Sequence, residues 1–226
     1  MESRLVIVGA GPIGSAAAHA ALEDGAAASI CAVVDPDPEA RDALRAEFDA
    51  PGYPSVDHLP EGRPGDVAVA AFTSRADEVA GEINSLVGLH YHVVTTCEEL
   101  AWPKRHIREA LDGSARTGGR VIIAAGANPG FVMDRLPLAV ATASRNITAI
   151  SIERRVDTST RRDQLVAKTG RGLTTEQFAD GVTSGAIGHV GLEISAKLVA
   201  GGLGLPTHEV TESIEPVVDS DGVVSG

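Results

Sequence analysis

The sequence predicts an α/β fold, in which a doubly wound (Rossmann) parallel sheet is followed by a smaller α+β domain. Two observations lead to this prediction. A glycine-rich turn follows the first apolar run, and short apolar segments alternate with helical segments as far as residue 127. Alternation of this kind produces parallel strands with helices on both faces of the sheet. We therefore expect one domain over residues 1–127 and a second domain over residues 128–226.

Each strand predicted in the first domain is a short run rich in β-branched apolar residues, which is typical of a buried strand. These runs cover residues 4–8, 29–34, 66–72, 91–95 and 120–125. The intervening segments place apolar side chains at helical spacing, as Ala43, Leu44 and Phe48 do. We predict helices after the glycine turn and over residues 39–48, 75–86 and 104–116, the last of them closed by Gly118-Gly119.

The second domain begins where the alternation ends. A helix is expected over residues 131 to about 144, and Ile147–Val156 alternates apolar and polar residues as a half-buried strand does. Thr174 and Gln177 have the spacing of a capping box, which marks the start of a helix. The remaining predicted elements are a helix over 175–182, a helix that is opened by residues 188–191 and runs to about residue 199, and the beginning of a hairpin over 214–218 and 223–224.

Composition and charge restrict the class of partner. The 226 residues carry a net charge of −12, which argues against a nucleic-acid surface or an anionic membrane as partner. The apolar runs have the length of strands, and the N-terminus enters the first strand without a signal sequence. Cys31 and Cys97 form no CxxC pair, and no third ligand accompanies His90 and His92. We expect a cytoplasmic protein with reduced thiols and no metal site.

The glycine turn has the spacing of a dinucleotide-binding motif, Gly9-x-Gly11-x-x-Gly14, with Pro12 and Ile13 inside it. Gly9 permits the tight turn, Gly11 lets the backbone approach a pyrophosphate, and Gly14 lets the helix pack close to the strand. The amide groups at the start of the helix then face the anion. All five residues of this turn are predicted to bind the cofactor.

An acidic residue stands at the end of the second predicted strand. Asp35 lies 21 residues after Gly14, where a carboxylate can accept hydrogen bonds from both ribose hydroxyls and repel a 2′-phosphate. We therefore expect NAD as the cofactor, while NADP stays open because Arg41 and Arg45 follow on the next helix. The alternative is that Asp35 only begins the turn Asp35-Pro36-Asp37-Pro38.

Ligands of doubly wound folds bind at the carboxyl ends of the strands. Thr73 and Ser74 follow the third predicted strand, and Thr96 follows the fourth, so we expect all three to contact the cofactor. Ser74 also fits a plain helix cap.

Several motifs are distributed over nearly the whole chain: VVTTCEELAWP at 93–103, GANPGFVMD at 126–134, RRVDTSTRR at 154–162, KTGRGLTTEQF at 168–178 and GHVGLEIS at 188–195. Together with the glycine turn they resemble the 2,4-diaminopentanoate dehydrogenase family. That family is similar in fold to dihydrodipicolinate reductase and includes amine dehydrogenases. The resemblance implies nicotinamide-dependent deamination of an amine, or reductive amination of a ketone with ammonia. It also implies that the substrate lies between the two domains.

Two adjacent acids follow the fourth predicted strand. A carboxylate at this edge can hold an ammonium ion, accept its proton and stabilise the iminium formed when hydride leaves. The resemblance implies this catalytic role for an acidic residue of the loop and assigns it to Glu98, with Glu99 as the adjacent competitor. The alternative is that both acids only stabilise the start of a helix.

Asn128 is the second catalytic candidate. It precedes Pro129, which disfavours helical geometry, and Gly130 permits an unusual turn. The Asn128 amide can then face the nicotinamide or the substrate nitrogen, so it is predicted to contribute to catalysis and to cofactor binding. An asparagine that bonds its own backbone is the competing interpretation.

The second domain supplies three further candidates. Arg155 and Asp157 share one face of the predicted strand and are expected to bind substrate. Where the substrate has a carboxylate, Arg155 would form two parallel hydrogen bonds with it. His189, at a helix start, is predicted to be catalytic because its neutral imidazole can donate or accept a proton. A surface ion pair and a capping histidine are the simpler alternatives.

Members of the family are longer, with further strands after the predicted hairpin at which this sequence stops. Three explanations stay open: the sequence is incomplete, a partner subunit completes the domain, or the protein is a shortened paralogue with altered activity. An open sheet edge invites pairing with another chain, and a homodimer is expected. Two other functions stay open. One is a reductase of a cyclic imine, of the dihydrodipicolinate reductase type. The other is a non-catalytic dinucleotide-binding protein.

Overall fold

A computed structural model describes residues 3–158, 166–188, 191–207 and 209–225. The chain divides into two compact units, Met1–Val132 and Met133–Gly226. This boundary lies five residues beyond the predicted one, because the turn Gly126–Gly130 packs against Glu98 of the first unit.

The first unit is built on a six-stranded parallel sheet with the strand order β3-β2-β1-β4-β5-β6. The α/β fold class predicted from the sequence is therefore confirmed. The strands are β1 (Arg4–Val8), β2 (Ser29–Val34), β3 (Gly52–Tyr53), β4 (Val67–Ala70), β5 (His92–Thr95) and β6 (Ile122–Ala124).

Helices connect the strands on both faces of the sheet. They are α1 (Pro12–Glu23), α2 (Pro38–Glu47), α3 (Ala76–Gly88) and α4 (Arg105–Gly118). Two 3₁₀ turns, Val56–His58 and Glu98–Ala101, complete the unit. Gly119 ends α4 with a φ of 61°, a left-handed conformation that glycine adopts without strain.

Two apolar clusters hold the helices on the sheet. On one face Ile7 and Val33 are fully buried with Ala18 of α1 and Leu44 of α2. On the other face the strands pack against α3, whose apolar residues are also almost completely buried. The α3 residues in this cluster are Ala76, Val79, Ile83, Leu86 and Val87. Because both faces are covered, the strand ends carry the polar chemistry of the unit.

At the amino end of the sheet an ion pair joins β1 to the residue before β4. Arg4 donates from Nε and Nη2 to the two carboxylate oxygens of Asp66, at 3.0 and 2.5 Å. The amide of Arg63 donates to the same carboxylate at 2.8 Å. Asp66 is buried, so this pair is a structural feature far from the carboxyl edge of the sheet.

The second unit includes the helices α5 (Arg135–Ala141), α6 (Thr175–Ser184) and α7 (Leu192–Gly202). Helix α6 starts with the predicted capping box of Thr174 and Gln177. An isolated antiparallel bridge between Val218 and Val224 forms where a hairpin was predicted, and a second bridge joins Val223 to Thr174.

The strand predicted over Ile147–Val156 is wrong. This segment has no regular structure, and Ile150 and Val156 are 36% and 41% exposed. A strand is stable only when its backbone pairs with a neighbour, and no strand within the described residues pairs with this segment. The helix predicted from residue 131 is also shorter than expected, because Asp134 caps it by accepting a hydrogen bond from the Arg135 amide at 2.7 Å.

Candidate functional site

The glycine turn lies between the ends of three strands. Gly9 has a φ of 100°, and its amide donates to the carbonyl oxygen of Val34 at 2.8 Å. A Cβ on Gly9 would lie 2.9 Å from the backbone of Ala71, and a Cβ on Gly14 would lie 1.8 Å from the Gly9 carbonyl oxygen. Glycine is therefore required at both positions, one for the turn and one for the close packing of α1, as the sequence predicts.

Gly11 occupies a different environment. It precedes α1 as its N-cap, and a Cβ placed on it would meet no atom within 4 Å. Pro12 begins the helix, and Ile13 is 48% exposed beside it. The backbone of this turn is therefore open to an approaching group, which fits the predicted pyrophosphate.

Asp35 is held against the glycine turn. Its Oδ2 accepts a hydrogen bond from the Ala10 amide at 2.7 Å, and its Oδ1 accepts one from the Asp37 amide at 2.9 Å. Arg41 and Arg45, the two arginines that could have bound the 2′-phosphate of NADP, both have hydrogen-bond partners within the protein. Arg41 donates to the Asp35 carbonyl oxygen at 2.9 Å, and Arg45 pairs with Asp42 at 2.8 Å. A carboxylate, rather than a guanidinium, is thus beside the glycine turn.

The loop from β4 to α3 contains the next predicted cofactor residues. Thr73 donates its hydroxyl to Glu78 at 2.7 Å and accepts the Arg75 amide at 3.2 Å. Ser74 is exposed. Thr96, after β5, is half-buried, and its amide donates to the Ala70 carbonyl oxygen at 3.0 Å. The structure places these residues at the carboxyl edge of the sheet; their contact with a cofactor stays a prediction.

The structure distinguishes the two adjacent acids. Glu99 accepts a hydrogen bond at Oε2 from the Ala76 amide at 2.9 Å, and its own amide donates to the Ser74 carbonyl oxygen at 3.4 Å. Glu99 therefore caps α3. Glu98 lies beside the turn that follows β6, since its Cγ is 3.0 Å from the Cβ position of Gly126.

Cys97 lies behind these acids and is fully buried. Burial raises the pKa of its thiol, which keeps the sulfur protonated at neutral pH. Its amide donates to the hydroxyl of Thr95 at 3.1 Å, and that buried hydroxyl donates to the Ala70 carbonyl oxygen at 3.1 Å. These contacts argue for a structural role of Cys97.

Asn128 is only 4% exposed and lies in a turn in which two glycines touch. Gly130 has a φ of 129°, and a Cβ on it would lie 2.2 Å from the Gly126 carbonyl oxygen. Because Gly126 also packs against Glu98, the turn of Asn128 and the turn of Glu98 are neighbours at the carboxyl edge. The two catalytic candidates of the first unit are thus brought together.

The candidates in the second unit are placed differently. Arg155 and Asp157 are exposed on the irregular segment, so the strand face that was expected to align them is absent. Arg155 donates to Glu153 at 2.6 Å, and its side chain is 89% exposed. His189 lies outside the described residues. The roles of all three stay predictions.

The sequence offered helix capping as the alternative role of Glu98 and Glu99, but it did not indicate that Glu99 caps α3, and it did not indicate the hydrogen bonds of Thr95. Glu99 stands 23 residues after the helix start that it caps, a separation that no local capping signal contains. The signal for Thr95 was its position at the end of a buried strand, where an isolated hydroxyl needs a partner.

Two families of known proteins match this chain. Residues 3–100 match the family described as "Oxidoreductase family, NAD-binding Rossmann fold". Residues 131–222 match the family described as "2,4-diaminopentanoate dehydrogenase C-terminal domain". The first match confirms the predicted cofactor, NAD. The two matches together confirm the resemblance to the 2,4-diaminopentanoate dehydrogenases.

A curated relative supports the same resemblance. The 2,4-diaminopentanoate dehydrogenase of Acetoanaerobium sticklandii is 28% identical over 159 residues, which make up 68% of this chain and 45% of the relative. The match therefore spans less than half of that protein's length.

Solved structures show a similar fold. An amine dehydrogenase from Mycobacterium smegmatis has a TM-score of 0.67 at 16% identity, over 97% of this chain and 67% of that chain. The WlbA dehydrogenase from Bordetella pertussis, solved with NADH and UDP-GlcNAcA, has a TM-score of 0.50 at 16% identity, over 63% of this chain and 42% of that chain. At this identity the likeness concerns the fold alone.

The described residues contain neither a membrane-spanning helix nor a metal-binding cluster. None of the helices described here has the length and apolar character needed to cross a membrane. Within residues 3–158, 166–188, 191–207 and 209–225, no three His, Cys, Asp or Glu side chains converge as a metal site would require.

Proposed function

We propose that the protein is an NAD-dependent amine dehydrogenase, which deaminates an amine or diamino acid oxidatively or aminates a ketone reductively. The observation on which this proposal depends most is the position of Glu98. It lies after β5 at the carboxyl edge of the sheet, against the turn of Asn128, while the adjacent Glu99 is engaged in capping α3.

The reaction requires one group that handles a positive nitrogen. In the oxidative direction an ammonium, NAD⁺ and water give a ketone, an ammonium ion, NADH and a proton. Bound NAD⁺ supplies a hydride acceptor. Glu98 would accept a proton from the substrate ammonium and release it to solvent water, and the carboxylate restored in this way would stabilise the iminium that forms as hydride leaves carbon. In the reverse direction the same carboxylate would hold ammonia as an ammonium ion.

The residues of the first unit fit a dinucleotide. The open backbone at Gly11 would receive the pyrophosphate, with Gly9 and Gly14 fixing the shape of the turn. Thr73, Ser74 and Thr96 would line the path along the carboxyl edge. Asn128 would orient the nicotinamide or the substrate nitrogen through its amide.

We further propose that NAD is preferred over NADP. The Asp35 carboxylate is fixed by two backbone amides, and both neighbouring arginines have acidic or carbonyl partners. A 2′-phosphate would therefore meet a negative charge, whereas the ribose hydroxyls of NAD would meet a hydrogen-bond acceptor.

For the second unit we propose a substrate role, with Arg155 and Asp157 binding substrate and His189 contributing to catalysis. This part depends on the match of residues 131–222 to the diaminopentanoate dehydrogenase C-terminal domain. The proposal includes a cytoplasmic homodimer that acts on small amines or ketones and ammonia.

The experiment is a pair of screens on the full chain. One follows NAD⁺ reduction with a panel of amines and diamino acids, and the other follows NADH oxidation with ammonia and ketones with and without a carboxylate. Turnover that requires the amine, or ammonia, is the expected result. Cofactor binding without turnover would instead indicate a non-catalytic dinucleotide-binding protein, and ammonia-independent reduction of cyclic imines would indicate an imine reductase.

A further inference from the structure

Hydrogen bonds connect the turn that carries Glu98 to the Thr73–Ser74 loop, which is predicted to bind the cofactor. Helix α3 begins at Ala76, and its N-cap, Arg75, makes no side-chain capping bond. The cap comes instead from Glu99, whose Oε2 accepts the Ala76 amide at 2.9 Å. A second bond joins the same two segments in the opposite direction, because the Glu99 amide donates to the Ser74 carbonyl oxygen at 3.4 Å.

The other side of the same turn is fixed by buried contacts. Thr95 and Cys97 are fully buried, and the Thr95 hydroxyl links the Cys97 amide to the Ala70 carbonyl oxygen. Leu100 is 8% exposed and anchors the turn from within. The backbone on either side of Glu98 is thus held to β4 by Thr95 and to α3 by Glu99.

We propose that Glu99 is a positioning residue that couples cofactor binding at Thr73 and Ser74 to the placement of Glu98. The inference rests on the proposed function, because it assigns Thr73–Ser74 to the cofactor and Glu98 to the amine. A carboxylate at a helix start interacts favourably with the amide dipoles there, so the link is stronger than a neutral bond. When the bound cofactor shifts the Thr73–Ser74 loop, the turn of Glu98 shifts with that loop.

The chain contains its own reporter of this turn. Trp102 is the single tryptophan, and its amide donates to the Glu99 carbonyl oxygen at 3.3 Å. A shift of the turn changes the surroundings of the half-buried indole. NAD⁺ is the suitable probe, because NADH would quench the indole by absorbing its emission.

The test measures NAD⁺ affinity by calorimetry and Trp102 emission in the same titration, on the full chain. In the wild-type protein the emission is expected to change with the calorimetric midpoint. The affinity of Glu99→Ala for NAD⁺ should stay within about tenfold of the wild-type affinity, since the Glu99 carboxylate is not itself proposed to contact the cofactor. The emission change should be lost in this variant. Glu99→Gln retains an oxygen that accepts the Ala76 amide and should keep the change.

Two further variants make the result specific. Ala76→Pro removes the amide that donates to Glu99 and leaves the carboxylate in place; proline is tolerated at the first position of a helix. It should lose the emission change as Glu99→Ala does, and it keeps the test valid if Glu99→Ala does not fold. Glu109→Ala removes a negative charge that pairs with Arg105 on the surface of α4 and should behave like the wild type.

The outcomes separate this inference from the proposed function. An emission change of wild-type size in both Glu99→Ala and Ala76→Pro would overturn the coupling. The coupling would also be overturned if the wild-type protein bound NAD⁺ without any change in Trp102 emission. Failure to bind NAD⁺ at all would overturn the cofactor assignment together with the coupling. Where turnover is present, kcat should fall about tenfold to a hundredfold in Glu99→Ala and be restored in Glu99→Gln, with the KM for the amine less affected.

Discussion

The carboxylate of Asp35 accepts a hydrogen bond from the backbone amide of Ala10, with 2.7 Å between Oδ2 and N. The end of β2 is thereby joined to the glycine turn after β1. A single side chain therefore sets both the charge beside the turn and its shape.

Replacing Asp35 by alanine is expected to narrow the preference for NAD over NADP. The carboxylate that would bind the ribose hydroxyls is lost, and so is the charge that would repel a 2′-phosphate. We expect the ratio of the two affinities to fall by about tenfold to a hundredfold, the range of a hydrogen bond to a charged group. Calorimetric titration with both cofactors measures it, and equal affinities in the unmutated protein would refute the assignment.

The buried carboxylate of Asp66 makes stability depend on pH at the acid end. Burial raises the pKa of this carboxyl, but the Arg4 and Arg63 hydrogen bonds outweigh it, so the net pKa is below its ordinary value of 3.8. A depressed folded-state pKa stabilises the protein above 3.8, and this contribution is lost as the pH falls through 3.8 towards the folded value.

Asp66→Asn should therefore lower the free energy of unfolding at neutral pH by about 1.5 to 3 kcal/mol and flatten its decline below pH 3.8. Urea unfolding at a series of pH values tests this. Asp42→Asn is the control, because Asp42 pairs with Arg45 on the surface and should change the unfolding free energy little. An Asp66 variant as stable as the wild type at both ends of the range would contradict the account.

In the second unit a buried hydrogen bond joins two motifs. Ser195 of α7 donates its hydroxyl to Asp134 at 2.8 Å, and both side chains are buried. Ser195→Ala should destabilise the protein by about 1 to 3 kcal/mol, because a buried carboxylate loses a donor. The exposed Ser184, which bonds within α6, provides the matched control: Ser184→Ala should leave the urea midpoint nearly unchanged.

Arg155→Met separates two classes of substrate. If Arg155 binds a substrate carboxylate, the KM for amino-acid substrates should rise about tenfold to a hundredfold, while plain amines are unaffected. The alternative, the surface ion pair with Glu153 that the structure shows, predicts no change for either class. Uniform loss for both classes would point to a structural role.

The elements of the first unit were predictable because their signals are local. The glycine spacing, the β-branched runs and the helical periodicity are each contained in about a dozen residues. Strand β3 was missed because it has only two residues, Gly52 and Tyr53, and is recognised by its pairing with β2. The strand predicted at Ile147–Val156 failed for the converse reason, since the pattern is present but the part of the chain that the structure describes contains no strand that pairs with it.

The candidate site was predictable only in part. Loop positions after β1, β4 and β5 follow from the topology, so Gly11, Thr73 and Glu98 could be proposed from the sequence. Adjacent acids of equal chemistry cannot be separated in this way. Glu99 is distinguished from Glu98 by its hydrogen bond to the amide of Ala76, a residue that is distant in sequence.

The proposed mechanism depends on Glu98 as the group that binds and deprotonates the substrate nitrogen. Glu98→Gln keeps the shape of the side chain and removes its charge, so NAD affinity should survive. Glu99→Gln should retain most of the turnover, because an amide oxygen still accepts the Ala76 amide. Glu109→Gln, on the surface of α4, controls for the loss of one negative charge.

The most direct measurement is therefore the rate of amine-dependent NAD⁺ reduction by these variants at saturating cofactor. Turnover by Glu98→Gln is expected to fall about a hundredfold to ten-thousandfold, the usual contribution of a positioned acid–base group. Turnover by Glu98→Gln equal to that of the wild type would contradict the proposed mechanism. If Glu99→Gln were then inactive, the catalytic carboxylate would be Glu99.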